Sequence, residues 1–82
     1  MSIMRLDKYL KVSRIIKRRT VANEACDAGR VMINGKVAKA SAEVKAGDVL
    51  EIMFGTKPMK VEVLSVAETV RKEEAKELFK VL

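Results

Sequence analysis

The sequence predicts an α+β fold: a two-helix corner packed on a small, mostly antiparallel sheet, with a further helix at the C-terminus. Three observations carry that expectation. Apolar residues recur at helical spacing from Leu6 to Cys26, the period switches to two at Val31 around an Asn34-Gly35 turn, and a Lys/Glu-rich stretch with helical spacing begins near Thr69. A chain of 82 residues has room for one modest core, so a single domain over residues 1–82 is expected.

Met1 to Met4 form a short lead-in, with Ile3 available to pack on the first helix. That helix is expected from Arg5 to Val12, where Leu6, Tyr9, Leu10 and Ser13 share one face and leave Lys8 and Lys11 to project from the other. Ser13 and Arg14 loosen the chain before Ile15 and Ile16 return it to the core. Thr20 opens or lies in the first turn of a second helix. Its apolar positions are Val21, Ala22, Ala25 and Cys26, with Glu24 and Asp27 outside, and Gly29 ends it as the residue that takes positive φ. Val31 and Ile33 then alternate with Arg30 and Met32, and Asn34-Gly35 supplies the type I′ turn of a hairpin that returns through Lys36 and Val37. Residues 38–43 read as an irregular connection, and Val44 to Asp48 as a turn into a strand over Val49 to Phe54. Gly55 to Pro58 turn again into a strand over Lys60 to Val66 that pairs with its predecessor. In VRKEEAKELFKVL, Val70, Ala75, Leu78 and Phe79 keep helical spacing, and Glu73 and Glu74 precede Lys76 and Lys80 in the order the helix dipole favours.

The charge is uneven. Net charge is +6 with a pI near 9.7, and the seven cations Arg5, Lys8, Lys11, Arg14, Lys17, Arg18 and Arg19 face one acid, Asp7, within a single run. Solvated helix faces usually intersperse both signs, so a one-sign run displayed by folded structure implies a polyanionic partner: RNA, DNA or an anionic membrane. No apolar run approaches the roughly 18 residues that span a bilayer, and the N-terminus lacks the apolar core of a signal peptide, so the chain is expected in the cytoplasm. One cysteine, Cys26, excludes an internal disulfide and fits a reducing compartment; its place on the apolar stripe makes it a buried small residue rather than a reactive thiol. With no histidine, Cys–His and Ser–His–Asp catalysis are absent from the inventory, and no cofactor or metal is implied.

Arginines on a two-helix corner beside a hairpin form a cationic surface suited to the shape and phosphate pattern of structured RNA more than to a base code. Asp7 either holds Arg5 or Arg19 in a fixed direction or is an acid favoured in the first turn of a helix. Tyr9, Phe54 and Phe79 are too few and scattered for a single-strand stacking platform, and Tyr9 reads as core. The expected RNA-contacting set is Arg5, Asp7, Lys8, Lys11, Arg14, Lys17, Arg18, Arg19, Arg30 and Lys36.

The ordered residues Arg5-Leu6-Asp7-Lys8-Tyr9-Leu10, Arg19 with Ala22, Gly29-Arg30-Val31 with Asn34-Gly35, and Val44 with Gly47-Asp48 resemble the S4 RNA-binding domain, or alpha-L motif, over about residues 5–54. The full length resembles small stand-alone members of that family. Where many members carry Ser before the arginine, this chain has Arg18, which makes the surface more cationic and removes a candidate cap. The resemblance implies a non-catalytic, RNA-binding quality control factor on the large ribosomal subunit. There it would contact ribosomal RNA and stalled peptidyl-tRNA and support C-terminal alanine tailing with an RqcH-type tailing factor, and the chain is expected to be a monomer when free. Other readings are heat-shock-type recycling of the stalled subunit, a basic DNA-binding architectural protein, and an RNA-binding fragment of an RNA-modifying enzyme.

Overall fold

The computed structural model describes residues 3–67 and 71–82. Strand β1 (Met4–Arg5) leads into helix α1 (Leu6–Val12), and helix α2 (Arg19–Asp27) follows after a turn. The remaining elements are β2 (Val31–Ile33), β3 (Lys36–Val37), β4 (Glu43–Val44), β5 (Val49–Phe54), β6 (Lys57–Val63), a 3₁₀ helix (Lys72–Leu78) and β7 (Phe79–Val81). Five strands form one sheet in the order β3-β2-β5-β6-β7, every pairing antiparallel, while β1 and β4 make a separate two-stranded ladder.

One core joins these layers. Leu6, Tyr9 and Leu10 come from α1, Ala22 and Cys26 from α2, Val44 from β4, and Val31, Leu50, Ile52, Val61 and Val63 from the sheet. The small residues at 22 and 26 let α2 lie close on α1, whereas Val21, expected on that stripe, is exposed: the inward face of α2 is centred between Ala22 and Cys26. Gly29, at φ +79°, closes α2 in a Schellman arrangement, its N–H donating to the Cys26 carbonyl and the Arg30 N–H to the Ala25 carbonyl. At the other corner Arg14 takes φ +63°, a left-handed conformation that glycine adopts more readily, and the Ile16 N–H reaches back to the Leu10 carbonyl.

The hairpin turn is as expected, with Asn34 at φ +51° and Gly35 at φ +84°. β5 has the expected bounds, but β6 begins earlier, at Lys57, after a two-residue turn. Pro58 lies beyond the stretch of β6 that pairs with β7, so its missing N–H costs no ladder bond there.

The C-terminal segment differs most from the reading of the sequence. Residues 72–78 wind as a 3₁₀ helix rather than an α-helix, and Phe79, expected to continue the helical face, begins a strand on β6. A threefold repeat brings Ala75 and Leu78 to the core, and both are buried. Two bonds flank the β6–β7 ladder at its ends: the Leu64 N–H donates to the Leu78 carbonyl and the Leu82 N–H to the Lys60 carbonyl. Thr69 and Val70, where the sequence suggested the helix would start, lie outside the described residues.

Candidate nucleic-acid interface

The site is built where the start of α1 meets the start of α2. Arg5 sits in β1 with extended backbone (φ −61°, ψ 143°) just before α1, paired across the ladder with Glu43, and the following backbone is fastened by Leu6 N–H to the Ala42 carbonyl and Asp7 N–H to the Ala40 carbonyl. That tether turns Asp7 into the corner, where it is 2% exposed. A carboxylate buried so fully needs partners, and among the described residues it has four. Arg5 grips it with two donors, Nε to Oδ1 and Nη2 to Oδ2, both at 3.2 Å. Asn23 Nδ2 donates to Oδ2 at 3.2 Å, the Lys8 N–H donates to Oδ1 at 2.8 Å, and Arg19 Nη2 lies 3.6 Å from Oδ1. Burial alone would raise the pKa of Asp7. The hydrogen bonds from Arg5 and Asn23, the Arg19 charge and the Lys8 N–H outweigh it and hold the carboxyl below its ordinary value.

Both readings of Asp7 are therefore realised: it accepts from the first turn of its own helix, and it orients both arginines. The arginines keep 50% and 48% of their side-chain surface exposed, so each is aimed by one edge and leaves the rest of its fork for a ligand.

Arg19 also lines an open groove of about 330 Å³ with Asp7, Thr20, Asn23 and Glu24. Asn23 was not singled out from the sequence. Its signal was the i, i+4 spacing from Arg19, which places both on one face of α2. Arg18, at the N-cap of α2, makes no side-chain cap, as its chemistry suggested.

The other expected residues are placed less closely. Lys8 is half-buried on α1, while Lys11, Arg14, Lys17 and Arg18 are exposed around the link between the helices. Arg30 leads from α2 into β2, and Lys36 begins β3; neither makes a direct side-chain contact with the Asp7 group. The hairpin that carries Lys36 is nevertheless braced by side-chain hydrogen bonds. Buried Asp48 accepts from Asn34 Nδ2 (3.1 Å) and the Lys45 N–H (3.0 Å), while Asn34 Oδ1 accepts from the Val49 N–H (2.9 Å). Asn34 is thus more than a turn former.

Two residues are placed by the structure outside any chemistry. Tyr9 is buried and donates its hydroxyl to the Leu78 carbonyl at 2.6 Å, tying α1 to the 3₁₀ helix. Cys26 is buried, and that burial, with the charges of Asp7 and Asp27, pushes its thiol up to about 11, so it stays protonated near neutrality. Among the described residues no group of three or more side chains suits a metal ion, and no helix is long and apolar enough to cross a membrane.

Comparison with known proteins agrees with this corner-and-hairpin geometry. The model of the S4 domain matches residues 4–50, from β1 into β5. The chain belongs to the S4 domain family. This S4 protein is 62% identical to the RQC P-site tRNA stabilizing factor of Halalkalibacterium halodurans over 78 residues, covering 95% of this chain and 89% of that one. It is 54% identical to the protein of the same name from Bacillus subtilis over 79 residues, 96% and 92% of the two chains. Among solved structures, the trimeric structure of Vibrio cholerae Heat Shock Protein 15 superposes with a TM-score of 0.90 at 28% identity, covering 99% of this chain and 83% of that one. The S4 match thus includes the whole Asp7 group and the hairpin, and the near-full-length relatives extend it through β6 toward the C-terminus.

Proposed function

We propose that this S4 protein is a non-catalytic RNA-binding factor of ribosome-associated quality control, acting as one unit over its whole length. In this reading it binds the large ribosomal subunit that carries a stalled peptidyl-tRNA, touches both ribosomal RNA and tRNA, and supports C-terminal alanine tailing of the nascent chain with an RqcH-type factor. It works in the cytoplasm and is a monomer when free. The observation that carries the reading is the buried Asp7 carboxylate with two half-exposed arginines fixed on it. Such an arrangement presents planar donors in a set direction, which suits phosphates of a folded RNA, and it has no nucleophile or general base with a function to perform. The names of the near-full-length relatives supply the biological setting.

The test is cryo-electron microscopy of ribosomal particles recovered with the tagged protein. Large subunits bearing peptidyl-tRNA, with the Arg5–Asp7–Arg19 corner on RNA, are the expected result; recovery of no ribosomal particle overturns the reading. The fold match to Heat Shock Protein 15 supports a second reading, recycling of the stalled subunit. Cells lacking the protein separate the two, since loss of alanine tails points to quality control and retained tails with accumulated stalled subunits point to recycling.

A further inference from the structure

The groove beside Arg19 contains groups that phosphate binding leaves unused. Phosphate oxygens accept hydrogen bonds and donate none, so a surface built for the backbone alone needs only donors. This groove also offers acceptors. Asn23 turns its amide nitrogen to Asp7, and because a carboxylate only accepts, that contact fixes the orientation and leaves Asn23 Oδ1 as a free acceptor among the described residues. The Glu24 carboxylate lines the same groove and makes no side-chain hydrogen bond or ion pair among the described residues, and Thr20 adds a hydroxyl at its edge. Arg19 supplies the remaining donors. At about 330 Å³ the space lies at the small end of the clefts of roughly 300–1,000 Å³ that hold small ligands, and it is open on one side to a longer chain.

A mixed set of one charged acceptor and one charged donor, lining the same groove on a cationic face, matches the edge of an unpaired base. Guanine presents two adjacent donors, N1–H and the 2-amino group, next to one acceptor, O6. We propose that this groove is a base-reading subsite that takes the Watson–Crick edge of one unpaired guanine of the bound RNA. Glu24 accepts from N1–H and the 2-amino group, and Arg19 donates to O6 while Asp7 holds it in place. The subsite rests on the RNA-binding reading above and adds sequence preference to a surface that otherwise reads shape and charge.

The experiment measures binding of the full chain, by fluorescence anisotropy at one fixed salt concentration, to RNA hairpins that differ only in a single unpaired nucleotide: guanine, inosine, adenine, cytosine or uracil. The parent should favour guanine over adenine, cytosine and uracil by roughly five- to 150-fold, the discrimination of a bidentate base contact. Inosine, which lacks the 2-amino group, should fall between. Glu24→Ala, an exposed change to a better helix former, should collapse the guanine preference to within about twofold, with circular dichroism confirming the helix. Equal binding of all five hairpins by the parent overturns the subsite and leaves the RNA-binding reading intact. A Glu24→Ala variant that strengthens every hairpin by the same factor and keeps the parent's rank order overturns it too, because Glu24 is then only a repulsive surface charge. Failure of the parent to bind any hairpin overturns the RNA-binding reading and the subsite with it.

Discussion

Between Arg5 and Arg19 the chain carries seven cations and a single acid, and that acid is buried; on β5, β6 and β7 partly exposed acids stand opposite exposed cations. Glu51 faces Lys60 across the ladder, 3.9 Å between charged atoms, and Glu62 faces Lys80. Exposed pairs of this sort contribute a few tenths of a kcal/mol to about 1 kcal/mol and orient little, because water and salt compete for both partners. Asp7 differs in kind. Removed from water, it depends on Arg5, Asn23 and the Lys8 N–H for every lone pair, and in exchange it fixes the direction of two arginines. One region spends charge on solubility and strand pairing, the other on holding a surface ready for a ligand.

The largest effect should come from removing the charge on which that contrast rests. Asp7→Asn should destabilise the fold by roughly 3 kcal/mol at neutral pH, the lower edge for breaking a buried ion pair because both arginines remain half in water. It should also weaken RNA binding. Since the folded pKa of Asp7 is depressed, its stabilisation is fully present above the ordinary carboxylate value of about 3.9 and is lost as pH falls through the lower folded value. Chemical denaturation across pH should therefore show a gap between parent and variant that is constant above pH ~4 and closes as pH falls below it. Parallel curves would mean that Asp7 is not the linked group.

Next in size is Arg19→Ala, which should weaken association with large subunits by roughly 1–3 kcal/mol, as for a hydrogen bond to a charged group. Its fold should survive, because Arg19 is half-exposed and only one of several partners of Asp7. Co-sedimentation equal to that of the parent would remove Arg19 from the interface. Tyr9→Phe tests the opposite region. Deleting the hydroxyl that reaches the Leu78 carbonyl should cost about 1 kcal/mol of stability and leave RNA affinity unchanged, since that carbonyl keeps the Leu64 and Ser65 N–H donors. A loss of RNA affinity in a stably folded Tyr9→Phe protein would break the division between the two regions.

The parts of this structure that could be read from the sequence are those fixed by near neighbours. β5, the Asn34-Gly35 turn and the Gly29 stop each follow from spacing or from a residue able to take positive φ, and each stands where expected. The two-residue strands β1 and β4 carry no pattern long enough to detect, because each exists only through a partner far away in the chain. The tail was misread for a related reason. The KEEAKEL stretch has good α-helical composition, yet β6 offers an open edge that Phe79 to Val81 take up, and the segment before them tightens into a 3₁₀ helix. In the site, the clustering of cations and the pairing of Asp7 with an arginine were legible. Asn23 was not, because its importance appears only when the start of α2 is brought against Asp7 across the corner.

The smallest effect concerns Arg18, where packing and charge pull in opposite directions. It occupies the N-cap of α2 with β-region backbone and no side-chain hydrogen bond, so the first N–H groups of the helix lack a side-chain acceptor there. Arg18→Ser would place a hydroxyl at that position and should raise stability by about 0.5–1 kcal/mol. The same change removes an exposed cation from the basic run. If about five phosphates are neutralised, log K for an RNA fragment of the large subunit should fall with log salt at a slope of about −4.5, taking about 0.9 per contact from duplex nucleic acid. Arg18→Ser should make that slope shallower by about one contact's share and weaken all sequences alike, because a charge on phosphate reads no base. Glu51→Gln, on the sheet and ion-paired with Lys60, should leave the slope where it was. A variant that is more stable but keeps the parent's slope would show that the cation at 18 faces solvent rather than RNA, and would leave the phosphate contacts to the other cations of the run.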